Sequence, residues 1–191
     1  MTDTQAGSDA APVTDGRRAR GERRRAEIIE ATLRVVERDG AAGVTHRSVA
    51  REAAVPTSLT TYYFATLDDL LVAALTAVAE EYAGKLRALI DGGSDELDGL
   101  AAIIAGAAGA GRRRALAERE LATLAARRPA LRPVARHWRD TVADIARRRT
   151  SDPVAVDALV AAADGMCTAI LLEGREPAAS AVRAVLDRAL D

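Results

Sequence analysis

Residues 45–64, Thr-His-Arg-Ser-Val-Ala-Arg-Glu-Ala-Ala-Val-Pro-Thr-Ser-Leu-Thr-Thr-Tyr-Tyr-Phe, constrain the fold of this chain more than any other stretch. Pro56 forces a break in them. What remains on either side reads as two short helices joined across Ala54-Val55-Pro56, in helix-turn-helix proportions. Thr45 is a good N-cap for the first, which places Val49, Ala50 and Ala53 on its inner face. Thr57 or Ser58 is placed to cap the second, which ends at Phe64. That second helix is surfaced with hydroxyls and aromatics instead of Lys and Glu, a composition suited to lying against phosphates and base edges.

The flanking sequence is helical throughout. Arg17, Arg18, Arg20, Arg23, Arg24 and Arg25 form a basic run leading into a helix with an apolar stripe of Ile28, Ile29, Ala31, Leu33, Val35 and Val36, stopped by Asp39-Gly40. Thr66 caps a fourth helix to about Leu89, with Asp68 and Asp69 complementing its dipole. Ser94 and Asp95 open a fifth, which ends in the glycines at 106, 109 and 111. A sixth is expected over Arg112–Arg128, and a seventh from Pro129 and Pro133 to about Arg149. An eighth runs from Asp152-Pro153 to Gly174, and a last one starts near Pro177. No strand pattern is present, so the expected fold class is all-α. An N-terminal three-helix unit holding the helix-turn-helix (17–64) precedes a longer helical region (65–191). Residues 1–16, small and polar, read as a disordered tail.

Charge segregates along the chain. The formal net charge is −1 over 191 residues, yet Arg17 to Phe64 carries ten Arg against six acids, while Ala65 onward carries 17 Lys/Arg against 19 acids. The positive excess sits with the helical pair, as an anionic partner requires. Cys167 is the single cysteine, which excludes an intrachain disulfide and the two-cysteine zinc spacings and favours a reducing cytoplasm. No signal peptide is visible, and the apolar stretch Leu100–Gly111 falls short of the ~20 residues that span a bilayer. No membrane association is expected.

In a helix-turn-helix the second helix enters the major groove while the N-terminus of the first faces a phosphate. The DNA-binding candidates are therefore Thr45, His46 and Arg47 at the start of the first helix, Thr57, Ser58, Thr61, Tyr62 and Tyr63 on the second, and Arg23 in the basic run. Leu59 and Phe64 are candidates to pack inward, Leu59 alternatively to touch a thymine methyl. His137, Trp138 and Met166 are candidates to line a ligand pocket, with core packing the competing reading for each aromatic and sulfur side chain. The segment Gly106–Gly111 followed by Arg112–Arg114 mimics a phosphate loop but lacks the strand before it and the Gly-Lys-Ser/Thr after it, and reads as a helix end or close helix crossing. No carboxylate pair or activated nucleophile is evident, so neither a catalytic site nor a cofactor or metal is expected.

Over about residues 20–75 the chain resembles the TetR/AcrR family of bacterial transcriptional repressors. The likeness rests on the helix Arg23–Asp39, Gly43-Val44-Thr45, Val49-Ala50, Ala53-Ala54-Val55, Tyr62-Tyr63-Phe64 and Leu70, in that order and spacing. The resemblance implies an N-terminal helix-turn-helix DNA-binding domain (17–64) and a C-terminal helical ligand-binding and dimerisation domain (65–191), in a homodimer that binds a palindromic DNA operator and releases it when a small-molecule effector enters the C-terminal domain. Pairing through helices at about 153–173 and 177–190, with small residues such as Ala155, Ala162 and Ala163 allowing close approach, would set the recognition helices ~34–36 Å apart. Four positions depart from the family pattern. Thr60-Thr61 stands where a Leu-Tyr pair is usual, Leu67 where a Lys is frequent, and Ala54 where the turn has Gly. The first departure leads to the expectation that Leu59 supplies the apolar core residue through a local rotation of the helix, with Thr61 replacing a phosphate-binding Tyr. An effector-independent regulator and an all-helical enzyme or carrier using the C-terminal cavity are the alternative functions.

Overall fold

The computed structural model describes residues 13–191. Among these residues there are nine α-helices and no strand: α1 (Val13–Asp39), α2 (His46–Glu52), α3 (Thr57–Tyr63), α4 (Leu67–Asp91), α5 (Glu96–Ala105), α6 (Arg112–Leu124), α7 (Arg132–Arg147), α8 (Pro153–Glu173) and α9 (Ala179–Arg188). Of the tail expected over 1–16, residues 1–12 lie outside the described residues and 13–16 belong to α1.

Helix boundaries follow local chemistry. Thr45 Oγ1 accepts from Ser48 N at 3.0 Å while Ser48 Oγ accepts from Thr45 N at 2.8 Å, a reciprocal cap that fixes the start of α2. Thr66 and Asp69 repeat the device at α4, and Asp95 and Asp152 cap α5 and α8. At α3 the expectation fails: extended Pro56 occupies the N-cap position and no side chain closes it. Thr57 and Ser58 lie inside the helix with their side chains exposed. Helix α6 ends short of Arg128, which is drawn into extended backbone by the following Pro129.

Two apolar cores hold the helices. The first gathers Ile28, Leu33 and Val35 of α1, Val49 of α2, Phe64, and Leu70, Leu71 and Leu75 of α4, and extends to Leu121 of α6 and Leu131. The second joins Leu86, Leu97, Leu100, Ile104, Ile145, Leu159, Ile170 and Leu186. Each such side chain contributes roughly 1.5–3 kcal/mol by leaving water. The packing does not divide at residue 64, because the first half of α4 and one face of α6 complete the N-terminal core.

Helix α8 is long and apolar enough to cross a membrane by length and composition. Its Val156, Leu159, Val160, Ala163, Ile170 and Leu171 are instead buried in the second core, while Val154 and Leu172 remain 71% and 81% exposed.

Thr60, not Leu59, is the inward residue of α3. Thr60 is fully buried together with Phe64, and Leu59 is only half-buried. The expected rotation of the helix does not occur, since positions 60 and 64 are four apart and share one face. A hydroxyl is tolerated there because Thr60 Oγ1 donates to Thr57 O at 2.8 Å.

Candidate nucleic-acid interface and ligand cavity

The pair α2–α3 presents its polar face outward. Thr45 and Arg47 are exposed at the start of α2, and His46 is half-buried with Nδ1 unpartnered. On α3, Thr57, Ser58, Thr61 and Tyr62 are exposed and Tyr63 is half-buried. Tyr62 holds its ring in solvent, braced edge-on against Tyr63 with centroids 5.1 Å apart. Leu59, Tyr62 and Tyr63 form one groove with Arg17, Arg20, Arg23 and Arg24 of α1. This juxtaposition sets the basic run beside α3, a concentration of positive charge of the kind that attracts phosphate. Not every arginine is available: Arg25 stacks over the buried Phe64 ring at 5.1 Å, and Arg24 pairs with Glu27 at 2.6 Å.

The turn between the helices holds Ala54 at φ +53°, in the left-handed region that favours glycine.

In the C-terminal half a largely apolar cavity of about 380 Å³ lies between α4, α5 and the start of α6. It is bounded by Tyr82, Lys85, Leu89, Ile103, Ala107 and Arg114. Tyr82, Ile103 and Ala107 also face a smaller compartment that includes Glu118, Arg119, Trp138 and Cys167. Tyr82 and Trp138 meet at 5.8 Å between centroids. Burial pushes the Tyr82 hydroxyl and the Cys167 thiol up, so both stay protonated at neutral pH. Burial also pushes the Glu118 carboxyl up, opposed by Arg119. At Gly111 a Cβ would stand 1.9 Å from Gly106 O, so this turn at the cavity edge closes only with glycine.

Of the residues expected to line a pocket, Trp138 lines the smaller compartment. Met166 is half-buried against the second core and borders neither compartment. His137 is exposed and also borders neither, because neighbouring helical positions point about 100° apart and Trp138 takes the inward one. Tyr82, Arg114 and Glu118 were not foreseen as a group. Tyr82 was legible only as an apolar-period residue of α4, and nothing local marks the other two.

Helix α6 bonds to α1, to α4, to the turn before α2 and to the end of α8. Arg114 donates to Glu30 of α1 at 2.9 Å and lies 3.7 Å from Glu37 and 3.4 Å from Glu81 of α4. Burial disfavours its charge, but these carboxylates outweigh burial and hold it protonated. Glu120 accepts from Ala41 N at 2.7 Å, in the turn that leads to α2. Arg112 donates to Ile170 O and Leu171 O near the end of α8, at 3.2 and 2.6 Å.

Residues 92–191 match the Tetracyclin repressor-like, C-terminal domain family. Among solved structures, a TetR-family member from Streptomyces coelicolor A3 is 44% identical, with a TM-score of 0.78 over 88% of this chain and 98% of that one. The multidrug binding protein EbrR, in complex with ethidium, is likewise 44% identical, with a TM-score of 0.73 over 87% of this chain and 97% of that one. EbrR is also known in complex with malachite green and with proflavin. Among curated relatives, the HTH-type transcriptional regulator BetI of Paraburkholderia phytofirmans is 40% identical over 58 residues, 30% of each chain. The regulator PksA of Bacillus subtilis is 36% identical over 66 residues, 35% of this chain and 32% of its own. The chain thus matches about a third of the length of these two curated relatives.

Proposed function

The chain belongs to the TetR family, and on that footing we propose that it is a cytoplasmic, homodimeric transcriptional repressor released from its DNA operator by a small aromatic effector. The exposed face of α3 carries this reading. Thr57, Ser58, Thr61 and a 79% exposed Tyr62 stand beside an arginine-lined groove, a surface poorly explained by solubility and well matched to a DNA major groove. Arg23 reaches phosphate from α1, while His46 and Arg47, with Thr45, face phosphate at the start of α2.

The dimer pairs α8 and α9 isologously. Support comes from Val154, Leu172 and Val185, large apolar side chains left exposed on these two helices. The effector occupies the cavity beside Tyr82, and the EbrR complexes with ethidium, malachite green and proflavin favour aromatic compounds. Release then runs through α6, whose Arg114 borders the cavity while bonding α1, and whose Glu120 holds the turn before α2. A coupling of roughly 1–3 kcal/mol changes operator affinity ~5- to 150-fold. The absence of a cofactor requirement is part of the same reading.

Selection of bound sequences from random DNA tests the proposal. The expected consensus is a palindrome whose half-sites lie about 10 base pairs apart or a multiple of that. Recovery of sequences with no shared half-site would overturn it.

A further inference from the structure

Arg119 of α6 lines the smaller compartment with Tyr82, Glu118, Trp138 and Cys167. Its Nε is buried and, among the described residues, has no hydrogen-bond partner. The groups around it do not supply one. Asp164 of α8 lies 3.7 Å from Arg119 Nη1, at the far end of the guanidinium, and is shared with Arg139 of α7. Glu118 precedes it on α6 and is only half-buried. Burial keeps Cys167 a thiol, with Arg119 opposing, and a thiol sulfur is a weak acceptor. A buried N–H without an acceptor weighs against the fold, and an arriving acceptor removes that cost.

Size and charge limit what that acceptor can be. The compartment holds about 20 Å³, room for one oxygen-sized atom and not for a ring or a branched anion. Charge around it is already balanced, Arg119 and Arg139 standing against Asp164 and Glu118. Tyr82, Ile103 and Ala107 face both this compartment and the 380 Å³ cavity. A ring system in the larger cavity therefore brings a substituent on its inner edge towards Arg119.

We propose that Arg119 determines effector specificity, and that the effector is an aromatic ketone or quinone whose carbonyl oxygen accepts from Arg119 Nε in the smaller compartment. This rests on the effector-cavity reading above. A carbonyl oxygen meets the three constraints together: it accepts, it is uncharged, and it projects from a ring as a single atom. A solvent water is the other acceptor that fits, and it would leave Arg119 indifferent to the ligand. A ring system that lacks the oxygen and excludes water leaves Nε unpaired, so the wrong ligand is penalised as well as the right one held.

The test uses the full chain without DNA and two probes, fluorenone and fluorene, flat tricycles that differ by one carbonyl oxygen. Wild-type protein is expected to bind fluorenone at least ~10-fold more tightly than fluorene. Infrared spectra of bound fluorenone should show its carbonyl stretch, which lies clear of the amide band, lowered relative to apolar solvent. Neither measurement needs a variant. Arg119→Met should abolish the preference, and Arg119→Lys should abolish it too while keeping a positive charge beside Asp164, which assigns the effect to the Nε donor. Equal wild-type affinity for the two probes, an unshifted carbonyl stretch, or a preference retained in either variant would overturn the assignment. Fluorene binding without fluorenone binding would overturn it while leaving the cavity reading intact. Binding of neither probe would overturn both.

Discussion

Glu120 Oε1 accepts the backbone N–H of Ala41 at 2.7 Å, tying α6 to the turn that delivers α2 across 79 residues of sequence. Among the described residues Ala41 N makes no other hydrogen bond, and the contact is partly buried. Replacing Glu120 with Ala leaves that donor unpaired, at a cost of about 1–3 kcal/mol. The expected outcome is a lower urea midpoint with an unchanged denaturant slope. An unchanged midpoint would show that the link bears no load in folding.

Ala54 holds a left-handed conformation at φ +53° in the turn between α2 and α3. A Cβ in this region costs about 1–2 kcal/mol, while glycine adds about 0.5–1 kcal/mol of unfolded-state entropy. Ala54→Gly should therefore stabilise the protein by up to about 1 kcal/mol in chemical denaturation, with operator affinity retained.

Burial pushes the Glu118 carboxyl above its ordinary value in the folded protein. Folding then favours the protonated form, and stability falls as pH rises from about 4 through the folded value. Glu118→Gln removes that dependence. Thermal melts should show the variant more stable than wild type at about pH 8, and the difference closing towards pH 4. A pH-independent difference would assign the effect to packing instead.

Leu172, 81% exposed near the end of α8, is expected to sit in the dimer contact. Leu172→Glu places a charge where two copies meet and should shift the protein to monomers in light scattering while leaving its helical signal intact. A surviving dimer would relocate the interface.

Much of the fold was legible because its signals are local. Thr45 and Thr66 announce α2 and α4 through caps set within three residues, and Pro56 marks the break between the paired helices. Leu59 misled because apolarity outweighed helical phase. Thr60 lies one turn before Phe64 and takes the inward face, its hydroxyl satisfied by Thr57 O. The cavity was illegible for a different reason. Tyr82, Glu118, Trp138 and Cys167 come from four helices, and no spacing within any one of them encodes their meeting. His137 and Trp138 were read as a pair, although neighbours on a helix point different ways and only Trp138 turns inward.

The assignment of α2–α3 as the DNA reader is tested most directly by fluorescence anisotropy on the selected palindromic consensus. Wild-type protein is expected to bind it at least ~10³-fold more tightly than a scrambled duplex at the same salt. Tyr62→Ala and Arg47→Ala should each lose about 1 kcal/mol or more of that affinity, with unchanged melting temperatures. Equal affinity for consensus and scrambled DNA, or full binding by both variants, would contradict it.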